Sequence, residues 1–142
     1  MRTALLDVNV LLALAWSNHQ HHLAAHRWFD ETKSRPFATC SLTQLAFIRL
    51  SSNSSFTSEA VTPREAASLL HKMCEDKGHE FWESPAADNA MLFQHARGHQ
   101  QVNDAWLVEV ARQNNGLLAT FDKRLAVHDP SGQVVIVIDE TS

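Results

Sequence analysis

The chain is predicted to fold as an α/β domain, three α/β/α layers built on a mainly parallel five-stranded sheet. Three features carry that expectation. Short apolar runs at residues 4–6, 37–40, 117–120 and 134–138 have the length of buried strands, and a more polar run at 79–82 suits an outer strand. Helical segments separate most of these runs, the order expected of strands joined in parallel by crossovers. At 142 residues the chain can bury one substantial core but is too short for two ordinary domains, so residues 1–142 are read as one unit.

The first strand, Ala4-Leu5-Leu6, is left directly into the apolar helical run Val8-Asn9-Val10-Leu11-Leu12-Ala13. A strand this apolar is more easily buried at the centre of a parallel sheet than at its edge. Ligand sites in such sheets lie beyond the carboxyl ends of the strands, which puts Asp7 at the floor of a crevice. A plain helix cap is the competing reading of the same residue.

Asn18-His19-Gln20-His21-His22 leads into a helix through LAAHRWFDETK. His22 and His26 stand at i and i+4 and can share a helical face, but no Cys is close and HHLAAH lacks an acidic partner. They are read as structural or surface residues. Arg35-Pro36 breaks the chain before the second strand, after which Ser41 or Thr43 caps a helix through QLAFIRLSSN with Leu45, Ile48 and Leu50 in the core. Gln44 lies near the start of that helix, close to a strand's carboxyl end. Arg49 is read as an internal ion-pair partner in preference to a phosphate contact.

The polar stretch NSSFTSEAVTP is a loop, and PREAASLLHKMCEDKG is a helix with Ala66, Leu69, Leu70 and Met73 as its buried stripe and Gly78 at its end. ADNAMLFQHARG is expected to form another helix, with Asp88 near its start. Asn103 and Asp104 open a helix whose Trp106, Leu107, Val110 and Ala111 are apolar and which ends in Asn114-Asn115-Gly116. A carboxylate in a first helical turn gains roughly 0.3 to 1 kcal/mol, which explains capping without explaining function. Asp122 leaves the strand at 117–120 much as Asp7 leaves the first, and the β-branched VVIVI forms the last strand.

With 44% hydrophobic and 20% charged residues and only 4 Gly and 4 Pro, disordered and fibrous classes are excluded. The first apolar stretch contains Asp7 and Asn9, is too short to span a bilayer and has no basic lead-in or cleavage site, so a cytoplasmic protein is expected. Cys40 and Cys74 sit in no paired redox or zinc motif and are read as reduced thiols. The formal charge of -4 gives no general support for nucleic-acid binding. Carboxylates that hold a cation would add acidic residues where a metal-dependent nuclease needs them.

Asp7, Asp104 and Asp122 are remote in sequence, yet each lies beside a strand end or a helix opening. If they converge, their like charges disfavour ionisation unless basic groups or a divalent cation compensate. Mg2+, or alternatively Mn2+, suits such an oxygen-rich site and would polarise a phosphoryl oxygen and activate water.

The strings LLDVNVLLAL, VNDAWLVEVA and LLATFDKRL, in this order and spacing, resemble the PIN-domain family, in particular the VapC-type ribonuclease toxins of bacterial toxin–antitoxin pairs. The likeness spans nearly the whole chain. It implies a PIN-like fold, cleavage of RNA leaving a 5′ phosphate, and metal-binding carboxylates at Asp7, Asp104 and Asp122. It also implies that Thr120 is the small hydroxyl residue supporting them and that Asn9 is the polar residue beyond the first Asp. At the start of the helix after the second strand the family carries an acidic residue, and here Gln44 stands in its place, which bears on the number of cations. A small antitoxin bound at the acidic cleft and a helix-mediated homodimer are further implications, with no membrane partner. Competing readings are a metal-dependent phosphatase or DNA nuclease, and a catalytically silent RNA- or partner-binding module.

Overall fold

The computed structural model describes residues 1–140. Strands β1 (Ala4–Leu6), β2 (Phe37–Thr39), β3 (His79–Phe81), β4 (Leu117–Thr120) and β5 (Val135–Val137) form one sheet in the order β3-β2-β1-β4-β5. Every pairing in it is parallel. The helices are α1 (Val8–Ala15), α2 (His22–Asp30), α3 (Ser41–Ser51), α4 (Pro63–Cys74) and α5 (Val102–Gln113).

Alternation along the strands divides the apolar residues between two cores. Ala4 and Leu6 of β1, Phe37 of β2 and Ala119 of β4 pack with Leu11, Ala25, Phe47 and Leu70 from α1 to α4. Leu5, Ala38 and Leu118 point the other way, against Leu107, Val110 and Ala111 of α5 and Leu125 of a 3-10 turn over Lys123–His128. The three layers are therefore α1 to α4, the sheet, and α5 with that turn.

The strand order explains the division. From β1 the chain steps outward to β2 and β3, and the connecting helices lie on one face. It then returns past β1 to β4 and on to β5, travelling in the opposite direction. A right-handed crossover in that direction requires the opposite face, where α5 packs. The change of direction falls at β1, and a crevice opens beyond the carboxyl ends of β1 and β4, where ligands bind in such sheets.

Several local expectations are corrected. The residue capping α3 is Cys40, not Ser41 or Thr43; Thr43 instead accepts the Cys40 N–H at 3.1 Å. The buried face of α3 is Thr43, Ala46, Phe47 and Ser51, which leaves Leu45 64% exposed, whereas Ile48 and Leu50 are half-buried and pack against the core as expected. Thr43, Ala46 and Phe47 follow i, i+3 and i+4, and Leu45 falls outside that stripe. No α-helix forms over 87–98. Asn89 accepts the Met91 N–H at 3.1 Å and starts a 3-10 turn over Ala90–Phe93, none of whose residues is buried. Four consecutive apolar residues give no single helical face to bury.

The histidines of α2 have structural partners. His22 Nδ1 lies 2.7 Å from the Ala13 carbonyl and His26 Nε2 2.9 Å from that of Leu14, so both rings serve carbonyls of the last turn of α1. Both cysteines are free. No helix among the described residues is long and apolar enough to cross a membrane.

Candidate active site

β1 and β4 are in register with Leu6 beside Ala119, so the residues that follow the two strands emerge together. The Asp7 N–H extends the pairing by donating to the Ala119 carbonyl at 3.0 Å. This leaves the Asp7 side chain only 7% exposed and held on both oxygens. Oδ1 accepts the Val8 N–H at 2.8 Å, and Oδ2 accepts the Thr120 hydroxyl at 2.7 Å. Asp7 thus caps α1 and faces the crevice with the same carboxylate.

Thr120 is fully buried, and its oxygen also accepts the Asp122 N–H at 3.0 Å. Its single proton is committed to Asp7, so the hydroxyl has one orientation. That one group fixes the first carboxylate to the backbone that carries another. Asp104 arrives from the opposite layer, in the first turn of α5, and is half-buried. Asp7, Asp104 and Asp122 line one cavity of about 190 Å³ together with Asn9, Asn103, Thr43 and Arg49.

The charges in this cavity are unevenly compensated. Burial pushes Asp7 above the usual carboxylate range, and the Asp104 and Asp122 charges add to the rise against its hydrogen bonds. Asp104 is raised by burial and by Asp122. Asp122 is lowered instead, first of all by the Arg124 side chain. Arg124 Nε lies 3.0 and 3.2 Å from the two carboxylate oxygens and Nη2 lies 2.8 Å from Oδ2.

Among the described residues, no three His, Cys, Asp or Glu side chains form a closed metal-ligand set. The donors facing the cavity are carboxylate, amide and hydroxyl groups, with no thiol or imidazole among them. Such hard donors do not suit a structural zinc site. They do fit Mg2+ or Mn2+, which keep several waters and take only one or two carboxylates directly. The raised Asp7 and Asp104 fit as well: burial first, and then the neighbouring aspartate charges, raise them, and a cation would offset both effects.

Asn9 lines the cavity, as does Arg49, which forms no ion pair among the described residues although an internal ion pair was expected. Gln44 does not line it. Successive helical residues are about 100° apart, and α3 turns Thr43 to the crevice and Gln44 away from it. The Gln44 amide donates to Thr39 Oγ1 at 3.0 Å, and the same hydroxyl lies 2.7 Å from His79 Nε2. Asn103 and Thr43 were not singled out as site residues from sequence. The adjacency of Asn103 to Asp104 was the available signal for the first, whereas Thr43 read only as a cap.

Known proteins share this architecture along nearly its whole length. Residues 4–129 match the PIN domain family. Ribonuclease VapC39 of Mycobacterium tuberculosis is 39% identical, with the match covering 95% of this chain and 99% of the relative. Ribonuclease VapC29 of the same organism is 37% identical over 99% of each chain. Among solved structures, FitAcB from Neisseria gonorrhoeae matches 97% of this chain and 98% of that one with a TM-score of 0.57, a likeness of fold at 19% identity. On these matches, the chain belongs to the PIN-domain family and, within it, to the VapC-type ribonucleases.

Proposed function

We propose that this protein is a metal-dependent endoribonuclease that hydrolyses RNA phosphodiester bonds in the crevice between β1, β4 and α5. In the same reading it is the toxin of a toxin–antitoxin pair. The observation that carries this is the meeting of Asp7, Asp104 and Asp122 in one cavity, in a chain related throughout its length to ribonucleases. Asp7, Asp104 and Asp122 are the residues to hold Mg2+ or Mn2+. When bound, such a cation supplies Lewis acidity toward the phosphoryl oxygen and a more acidic water.

The remaining roles belong to the chain. Asp7, buried and raised, is placed to orient the attacking water and accept its proton. Thr120 keeps the Asp7 carboxylate in one orientation, and Asn9 offers an amide to water or phosphate at the cavity wall. Arg49 lines the same wall, and its guanidinium would bind a phosphate of the strand. In-line attack forms the water oxygen–phosphorus bond and breaks the bond to the 3′ oxygen. The products are a 5′ phosphate and a 3′ hydroxyl.

The partners in this reading are an RNA strand, a small antitoxin that covers the cleft with a Lys or Arg near the carboxylates, and a second copy of the chain. A silent binding module draws its support from the uncharged Gln44, since the cavity holds three carboxylates, Asp7, Asp104 and Asp122, and Gln44 hydrogen-bonds Thr39 outside it.

The test is incubation of purified, partner-free protein with total cellular RNA, duplex DNA and a small phosphate ester, each with Mg2+ or Mn2+ and with chelator. Cation-dependent cuts in RNA alone, with 5′ phosphate ends, are expected. Turnover of DNA or the ester without RNA would replace the substrate. Cation-independent RNA binding without cleavage would instead establish the silent module.

A further inference from the structure

Among the described residues, Asp122 is the one carboxylate of the cavity held in an ion pair, with Arg124, whose charge also reaches Asp104. Arg124 lies only two residues beyond Asp122 and reaches back to it with both Nε and Nη2, while its own backbone N–H donates to Oδ1 at 2.9 Å. The three side-chain contacts, 2.8 to 3.2 Å long, use both carboxylate oxygens. A divalent ion coordinated by Asp122 would need those same lone pairs, so the guanidinium and the ion compete for them. The guanidinium is free to leave. Its side chain is 83% exposed, so no core packing is lost when it turns away.

Arg124 also stands between two further cavities that flank the acidic one. One, of about 490 Å³, includes Asn9, Phe56 and Lys123; the other, of about 320 Å³, includes Gln100, Gln101 and Asp104. A strand laid across the acidic cavity would run through these two. A planar guanidinium that fits a carboxylate through paired hydrogen bonds fits a phosphate in the same way, whereas a lysine ammonium does not.

From these placements we propose that Arg124 is an exchangeable counter-ion: it holds Asp122 until a divalent cation takes that carboxylate, and then turns to a phosphate of the RNA strand. This rests on the ribonuclease reading above. It makes Arg124 a residue that opposes cation binding and favours substrate binding.

The experiment is Mn2+ titration of the RNA-free protein followed by electron paramagnetic resonance, with wild type, R124Q and R124K compared at matched circular dichroism. Removing the competitor is expected to tighten Mn2+ binding in R124Q by about two- to tenfold. At saturating Mn2+, the KM of R124Q for a single-stranded RNA oligonucleotide should rise by about three- to tenfold, with R124K recovering only part of the loss. Equal or weaker Mn2+ binding by R124Q overturns the exchange and leaves the ribonuclease reading standing. Tighter Mn2+ binding with an unchanged KM overturns the transfer to phosphate. No Mn2+ binding by the wild type overturns both the exchange and the metal-dependent reading on which it rests.

Discussion

Asp7 concentrates the conflict between stability and chemistry. It is buried, faces two other aspartates and is held by one hydroxyl and one backbone N–H, so its charged form is costly even though two donors soften the cost. Its folded-state pKa lies above the unfolded value. Below the unfolded value both states carry the proton and there is no penalty. As pH rises through the folded value, the native state must ionise a buried group, and stability is lost. In chelator, the stability of Asp7→Asn relative to wild type is therefore expected to rise as pH goes from about 4 to about 7, offset by a constant loss because Asn has one acceptor oxygen for the two donors that Asp7 serves. Urea unfolding of both proteins at the two pH values checks this, and a stability difference that does not move toward the Asn variant as pH rises would refute it. The identities of the three aspartates were readable because each follows a strand or opens a helix. For Arg124 the sequence suggests a surface salt bridge or an RNA-backbone contact without a named partner; that the partner is Asp122 depends on the backbone of a turn that composition does not specify.

At the scale of elements, phase and length decided what was legible. The four strongly apolar strands announced themselves through composition, and α5 through apolar residues at helical spacing. In α3 the apolar positions outnumber those its buried face can take, so Leu45 was assigned to the core that Phe47 fills. The segment 87–98 has apolar residues but no period, and it forms one 3-10 turn, over Ala90–Phe93, started by Asn89. The turn between α5 and β4 is more strictly specified. Asn115 adopts φ 53°, and the Gly116 N–H then bonds to the Ala111 carbonyl at 2.9 Å. A Cβ on Gly116 would lie 2.3 Å from a Trp82 ring carbon and 2.7 Å from the Thr3 carbonyl oxygen. Both neighbours are fixed: Trp82 is buried and its backbone N–H donates to the Thr39 carbonyl at 2.8 Å, and the Thr3 carbonyl accepts the Leu117 N–H at 2.9 Å. Gly116→Ala is thus expected to cost about 1 to 3 kcal/mol, measured by urea unfolding. An unchanged midpoint would show that the turn is not held as described.

Over the whole molecule, the site follows from the order β3-β2-β1-β4-β5. The reversal at β1 brings the end of the first strand beside the end of the fourth, more than a hundred residues later, and sends α5 to the opposite face with Asp104 in its first turn. Remote aspartates thereby meet in one cavity while Gln44, nearer in sequence to Asp7 than either of the others, is turned elsewhere. The most direct measurement is Mn2+-dependent hydrolysis of one defined RNA by folded Asp7→Asn, Asp104→Asn, Asp122→Asn and Gln44→Ala variants, assayed side by side. Each aspartate variant is expected to lose about a hundredfold or more in turnover, while Gln44→Ala stays within about fivefold of wild type. Near wild-type turnover in any one of the three aspartate variants would contradict a single catalytic centre built from all of them.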